Sequence, residues 1–335
     1  MPRRFLDQRL KLPLLRVADA LEAHGSLLKA SSALGVGQPA LTRSLQELEE
    51  IVGQRLFERH ARGVRATEAG RVVIRLARRV LAELRRADEE LDLVGNPDSG
   101  TVAIGVLPVA AVGVLPGALI RLKQRHPAIQ VRLQQGRTEE LLPLLAAGEV
   151  EMVLGRLYPP ATPDGFLREA LWEEPVSILA RADHPILATS GPVTRDALAR
   201  YDLVLPTVSQ RVGQEMEQLV SLLGLSPAAP TRSSSYGFIR EMLLATDCLS
   251  VMPRLMMAGD LLRGALRVVP LPIPAPPRPA GLILPPGATP SPAAAAFLAA
   301  LREHLAEIAA KGLAPMPGAD ILPPRSDRTA RRRRA

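Results

Sequence analysis

The chain has 335 residues, 47% apolar but 3% aromatic, enough for two or three domains with cores built from Ala, Leu and Val. Its net charge of +8 sits at the ends: residues 1–67 hold eleven Lys/Arg against seven Asp/Glu, residues 68–311 hold twenty-five of each, and residues 312–335 hold six Arg against two Asp. One cysteine, Cys248, excludes an internal disulfide; no long apolar h-region opens the chain and no run of 18 apolar residues occurs, so a cytoplasmic protein without a membrane span is expected.

Over 10–67 short helices alternate with glycine turns. Leu14, Val17, Ala18 and Leu21 share one helical face, Gly25 stops that helix, and Ser26 is placed to cap the next. Ser26-Leu27-Leu28-Lys29-Ala30-Ser31-Ser32-Ala33-Leu34 reads as a helix and Gly35-Val36-Gly37 as a tight turn. Gln38-Pro39-Ala40-Leu41-Thr42-Arg43-Ser44-Leu45-Gln46 begins a third helix, with Pro39 tolerated in its first turn. This is the pattern of a helix-turn-helix, and the whole segment is a candidate DNA-binding surface. Gln38, Thr42 and Arg43 project together near the start of the second helix, where Gln suits adenine, Arg suits guanine, and Thr suits a phosphate or a thymine methyl. The basic turn after Phe57-Glu58, carrying Arg59, Arg62 and Arg65, suits a wing that grips phosphate.

Residues 68–94 predict one helix of roughly 40 Å. Val73, Ala77, Val80, Leu84, Ala87, Leu91 and Val94 recur at alternating spacings of four and three, a heptad seam expected to pair with a second copy. Residues 95–100 read as a hinge. Beyond it, strands at 101–106, 129–134 and 151–155 alternate with helices at 115–125 and 139–147, predicting a mostly parallel sheet with helices on both faces. A second strand-rich unit follows, with strands at 176–181, 202–205 and 249–252 and helices at 213–223 and 238–244. Returning strands at 266–270 and 282–284 precede a terminal helix at 292–310. The tail, 312–335, is expected to be disordered.

In a two-lobed α/β domain, ligands sit beyond the carboxyl ends of strands at the lobe boundary. That places Pro108, Val109, Ala110, Gly136, Thr138, Thr207, Ser209, Ser234 and Ser235 as candidate effector-binding residues, with helix-start N–H groups able to hold an anion. The competing reading is that the hydroxyls cap helices, as Ser235 is placed to do. The five histidines are scattered and no phosphate loop is present, so no catalytic constellation, metal site or cofactor is expected.

The run Leu34-Gly35-Val36-Gly37-Gln38-Pro39-Ala40-Leu41-Thr42-Arg43, followed by Leu45, Leu48-Glu49, Gly53, Leu56-Phe57-Glu58-Arg59 and Thr67-Glu68-Ala69-Gly70, resembles the LysR-type transcriptional regulators. Gly37 and Thr42 stand where serine is commonest in that family. Gly105, Leu115-Pro116, His126-Pro127, Gly148, His184-Pro185 and 290–297 extend the likeness, and 105–108 with 153–157 look most like regulators of aromatic-acid or sugar-uptake genes. Val109 stands where many members hold an effector carboxylate with a polar residue, which argues against an acidic ligand anchored there. The resemblance implies a winged helix-turn-helix over 10–67, a linker helix over 68–95, and a periplasmic-binding-protein-like effector domain over 100–311. Lobe I would comprise about 100–174 and 266–311, and lobe II about 175–265. It also implies operator DNA, a small effector, a dimer of dimers and RNA polymerase as partners. Two other readings stay open from the residues alone: a solute-binding protein, and an architectural DNA-binding protein without a ligand.

Overall fold

The computed structural model describes residues 6–60, 63–93, 99–160, 162–188, 191–207, 210–225, 231–271, 273, 278–287 and 289–315. The first unit contains α1 (Leu6–Arg9), α2 (Leu12–His24), α3 (Leu27–Leu34), α4 (Gln38–Val52), the hairpin β1 (Phe57–His60) and β2 (Gly63–Ala66), and α5 (Glu68–Leu93). Leu14, Leu21, Ala30, Leu41, Leu48 and Leu56 close a common core. The Thr67-Glu68-Ala69-Gly70 run has a mechanical explanation. Thr67 Oγ1 accepts the Gly70 N–H at 3.0 Å, capping the new helix. A Cβ on Gly70 would come within 2.1 Å of the Leu56 carbonyl oxygen, so α5 can lie this close to the chain entering the wing only with glycine there.

The heptad seam divides. Val73 and Ala77 are buried within the chain, Val73 in the core α5 shares with α2, and Arg78 Nε donates to Asp19 Oδ1 of α2 at 2.8 Å. The exposed apolar stripe starts one residue earlier, with Val72 57%, Leu76 36%, Leu84 44% and Leu91 70% exposed and Val80 half-buried. Periodicity marked the apolar faces of this helix, but α2 takes one of them. Val94 and residues 95–98 of the expected hinge lie outside the described residues.

The first lobe of the next unit holds β3 (Gly100–Val106), α6 (Pro108–Gly113), α7 (Leu115–Arg125), β4 (Ile129–Gln135), α8 (Thr138–Ala147), β5 (Met152–Arg156) and β6 (Leu167–Glu173). The second holds β7 (Val176–Arg181), α9 (Arg195–Leu198), β8 (Val204–Pro206), α10 (Gln210–Leu222), β9 (Thr231–Ser233), α11 (Tyr236–Ala245), β10 (Ser250–Pro253), α12 (Ala258–Arg263) and β11 (Leu266–Val268). The chain then returns as β12 (Pro279–Leu284) and α13 (Pro292–Ala310). The first-lobe sheet has the order β4-β3-β5-β12-β6, and the returning β12 alone runs against the others. One face packs on α7 and α13, the other on α8. In the second lobe the trio β10-β7-β11 is antiparallel, while β8 and β9 pair in parallel.

Two expectations change. The segment after β3, where Val109 and Ala110 were expected to line the ligand cleft, is the helix α6, and both residues are buried in an apolar cluster shared with Ile239 and Leu243 of the second lobe. A Cβ on Gly113 would meet the Leu255 carbonyl oxygen at 2.0 Å, so α6 rests directly on the other lobe's backbone. The expectation of disorder from residue 312 does not hold for residues 312–315. Leu313 and Ala314 are buried, and the Pro315 carbonyl accepts the Glu173 N–H at 2.8 Å; residues 316–335 lie outside the described residues. The linker helix also touches the first lobe. Arg79 Nε donates to the Ala146 carbonyl at 3.3 Å, and a Cβ on Gly148 would fall 2.4 Å from that of Ala82. No helix among the described residues is long and apolar enough to cross a membrane.

Candidate nucleic-acid interface and ligand sites

The helix-turn-helix segment sorts into a scaffold and a surface. Ala30, Ser31, Leu41 and Leu45 are buried, and Ser31 Oγ donates to the Leu28 carbonyl, so these four brace the motif and cannot touch DNA. Leu27 and Leu34 pack against the same core. Ser26 has the extended backbone of a cap residue, but its hydroxyl accepts no helix N–H; the capping expected of it is absent. Lys29, Ser32, Ala33, Gly35, Val36, Gly37, Gln38, Pro39, Ala40, Arg43 and Gln46 are exposed, while Leu28 is 63% exposed. α4 starts at Gln38 with its proline in the first turn, so Gln38, Thr42 and Arg43 fall within the first six of its 15 residues. Thr42 Oγ1 donates to the Gln38 carbonyl at 3.0 Å. Its proton is spent within the helix, leaving a methyl group and oxygen lone pairs to face a partner.

The wing is fixed to this surface through backbone. The Val64 N–H donates to the Gly25 carbonyl at 2.9 Å, tying β2 to the turn between α2 and α3. Gly63 has φ +136°, and a Cβ on it would meet that carbonyl oxygen at 2.2 Å, so glycine is required on both steric and backbone grounds. At the other end, Glu49 Oε1 of α4 accepts the Leu56 and Phe57 N–H groups at 2.7 and 3.3 Å. Arg65 is exposed on β2, and Arg59 pairs with Val64 across the hairpin. Arg62 lies outside the described residues.

The strand-end candidates form two groups. Pro108, Gly136 and Thr138 are half-buried at the ends of the parallel pair β3 and β4, where the Gly136 N–H donates to the Val106 carbonyl at 3.3 Å. Thr207, Ser234 and Ser235 are exposed at the ends of β8 and β9, where the Thr207 N–H donates to the Ser233 carbonyl at 2.8 Å. Ser209 lies outside the described residues. At each helix start one N–H is already taken. Glu140 Oε2 reaches back to accept the Arg137 N–H at 2.9 Å at the start of α8, and Ser235 Oγ accepts the Phe238 N–H at 3.2 Å at the start of α11. An anion arriving at α8 would meet the Glu140 carboxylate beside the helix start.

A cluster of buried charge was not foreseen. Arg156, at the end of β5, is 6% exposed and gives Nε and Nη2 to Glu174 Oε2 at 2.9 and 2.7 Å; Glu174, between β6 and β7, is 1% exposed. Arg156 Nη1 also reaches Tyr158 Oη at 3.0 Å and Glu215 Oε2 of α10 at 2.8 Å. Burial alone would lower the Arg156 pKa, but Glu174, Tyr158 and Glu215 together hold it above its ordinary value. Burial pushes the Glu174 carboxyl up against the pull of Arg156, and burial, with the Glu174 charge, raises the Tyr236 phenol. Glu174 Oε1, Tyr236 Oη and Trp172 Nε1 are buried with no hydrogen-bond partner. Beside the cluster lies a cavity of about 400 Å³ lined by Arg156, Tyr158, Glu215, Gln218, Leu219, Leu222 and Arg278. None of the strand-end candidates lines it. Arg156 within the buried strand run Met152–Arg156 was the available signal, because arginine in a fully buried strand demands a partner. Among the described residues no group of three or more His, Cys, Asp or Glu is placed to hold a metal.

Comparisons with known proteins agree with this division. Residues 12–71 match the family model for a bacterial regulatory helix-turn-helix protein of the lysR family, and residues 95–306 match that for the LysR substrate binding domain. The transcriptional regulator PcaQ of Agrobacterium fabrum is 30% identical over 306 residues, covering 91% of this chain and 98% of its own. The transcriptional regulator GalR of Pseudomonas putida is 33% identical over 274 residues, covering 82% of this chain and 68% of its own. Among solved structures, a full-length OxyR variant from Pseudomonas aeruginosa superposes with a TM-score of 0.61 at 22% identity, covering 93% of this chain and 99% of its own. Full-length CbnR, solved in complex with its target DNA, gives 0.57 at 20% identity, covering 88% of this chain and 100% of its own. At these identities the structural likeness establishes the fold.

Proposed function

The chain belongs to the LysR family of DNA-binding transcriptional regulators, and from that premise we propose how its parts divide the work. The family consists of regulators and not enzymes, and its members bind DNA, respond to small-molecule effectors and oligomerise. The exposed start of α4 reads base edges through Gln38 and Arg43, with the Thr42 methyl group against a thymine methyl. Arg65, with Arg59 of the same hairpin and Arg62 near them in sequence, holds the phosphate backbone and makes binding steeply salt-dependent. Two copies pair along the exposed stripe of α5, and two such dimers form a tetramer that meets RNA polymerase at promoters in the cytoplasm. The observation that carries this reading is the sorting of one short helix. Leu41, Leu45 and Leu48 lock α4 into the core while the face bearing Gln38 and Arg43 is left to solvent.

The test is a footprint on the intergenic DNA beside the chain's own gene, repeated with Arg43→Ala. That variant is expected to lose about 1–3 kcal/mol on the protected site and to relax preference at one base position. An equal loss on random DNA would reduce Arg43 to a phosphate contact.

The strand-end groups, with Thr138 on one lobe and Thr207 and Ser234 on the other, hold the effector. Their support is that both end parallel strand pairs, with α6 and α11 sharing one apolar cluster beneath them. Thr138→Val combined with Ser234→Ala is expected to abolish the thermal shift produced by whichever metabolite stabilises the wild type in a screen. An undiminished shift in a folded double variant removes the assignment.

A further inference from the structure

Glu215 sits where a ligand carboxylate would sit. Its Oε2 accepts from Arg156 Nη1 at 2.8 Å and lies 3.1 Å from Arg278 Nη1. The contact with Arg278 is an ion pair without a hydrogen bond, since Arg278 Nε and Nη1 are buried and neither completes one. One oxygen between two guanidinium groups is half of the geometry a free carboxylate adopts with arginine, and one guanidinium here has donors left over. The two arginines come from the end of β5 and the run into β12, whereas Glu215 comes from α10 of the other lobe. Arg156 stays satisfied by Glu174 whatever Glu215 does. Glu215 itself is 30% exposed, so it can turn to water without a large desolvation change.

The cavity alongside has the complementary walls. Leu219, Leu222 and Pro279 give it an apolar side, Gln218 adds an amide, and Leu222 is 58% exposed at its rim. Its volume of about 400 Å³ falls in the range of small-molecule sites.

We propose that this pocket is a second ligand site, separate from the strand-end groups, which takes a small monocarboxylate with an apolar body in exchange for Glu215. The incoming carboxylate lies between Arg156 and Arg278, its apolar part lies against Leu219 and Leu222, and Glu215 swings out. One negative charge replaces another, so the buried cluster keeps its balance. What is lost is the ion pair between lobes, so binding here loosens α10 from the first-lobe sheet. A ligand reaching this site therefore acts on lobe geometry and needs no contact with the strand-end residues.

Hexanoate and its uncharged isostere hexanamide are the probes, titrated into the full-length protein. Trp172, the chain's one tryptophan, lies two residues before Glu174 and reports through its emission, with calorimetry as a second readout. Hexanoate is expected to give a saturable change and hexanamide none. Glu215→Gln is expected to bind hexanoate about tenfold tighter because the internal competitor has lost its charge, and Arg278→Gln at least about tenfold weaker. A merely structural Glu215 would not tighten binding when neutralised. Should Arg278→Gln fail to fold by circular dichroism, Glu215→Gln carries the test alone. No saturable response to hexanoate in either readout overturns the proposal, as does unchanged or weaker binding by Glu215→Gln. A response lost in Thr138→Val/Ser234→Ala but kept in Arg278→Gln would assign the carboxylate to the strand ends instead.

Discussion

Leu84→Asp is expected to leave the fold of the single chain unchanged while abolishing dimers and operator binding together. Leu84 is 44% exposed, so an aspartate there keeps its water in the monomer and circular dichroism should match the wild type. In a pair of α5 helices the same position falls in the apolar stripe with Leu76 and Leu91, where an unpaired carboxylate would be stripped of solvent. The cost, several kcal/mol at each of two facing positions, exceeds what a short seam returns. A helix-turn-helix monomer reaches one half-site, so affinity for a two-fold operator should fall with the dimer. Sedimentation velocity and a gel-shift titration measure the two losses. An assembly of wild-type size in the Leu84→Asp variant would show that the contact between copies lies elsewhere.

Glu174→Ala is expected to destabilise the two-lobed unit by about 3–5 kcal/mol, because it leaves Arg156 buried without the carboxylate that takes two of its donors. Glu174→Gln should cost less, since an amide oxygen can still accept from the guanidinium. Unfolding is followed through the emission of Trp172, which is buried in the two-lobed unit. A loss under about 1 kcal/mol would mean that water replaces the missing oxygen, and that the pair is solvated in solution.

What could be read from the residues is what depends on near neighbours. Leu115–Arg125 and Pro292–Ala310 have the ends expected of them, each with a proline in the first turn and a helical apolar pattern behind it. The glycines at 25 and 35 stop their helices in the left-handed conformation. What escaped depends on partners far along the chain. α6 carries no helical signature, since the Pro108–Gly113 run is apolar on every side, and it forms because the other lobe covers it. β6 is a strand because β12, more than a hundred residues later, pairs with it. In α5 the periodicity gave the apolar faces but not the owner of each, and the core shared with α2 claims Val73. Arg156, Glu174 and Glu215 meet across separations of 18 and 59 residues, and no local spacing announces such a cluster. The hydroxyls at the strand ends were visible, but the carboxylate of Glu140, folded back over the start of α8, was not.

The contact between Ala82 and Gly148 makes α5 a lever with its fulcrum part-way along. Fourteen residues separate Ala82 from the Glu68 end, an arm of about 21 Å at the helical rise. That arm is stiff where it matters, because α2 grips Val73 and Asp19 holds Arg78. A tilt of about 10° at the fulcrum would carry the winged unit roughly 4 Å, close to the rise of one base pair. A rearrangement of the first lobe too small to alter its packing would thus arrive at the DNA as a shift of about one step in register.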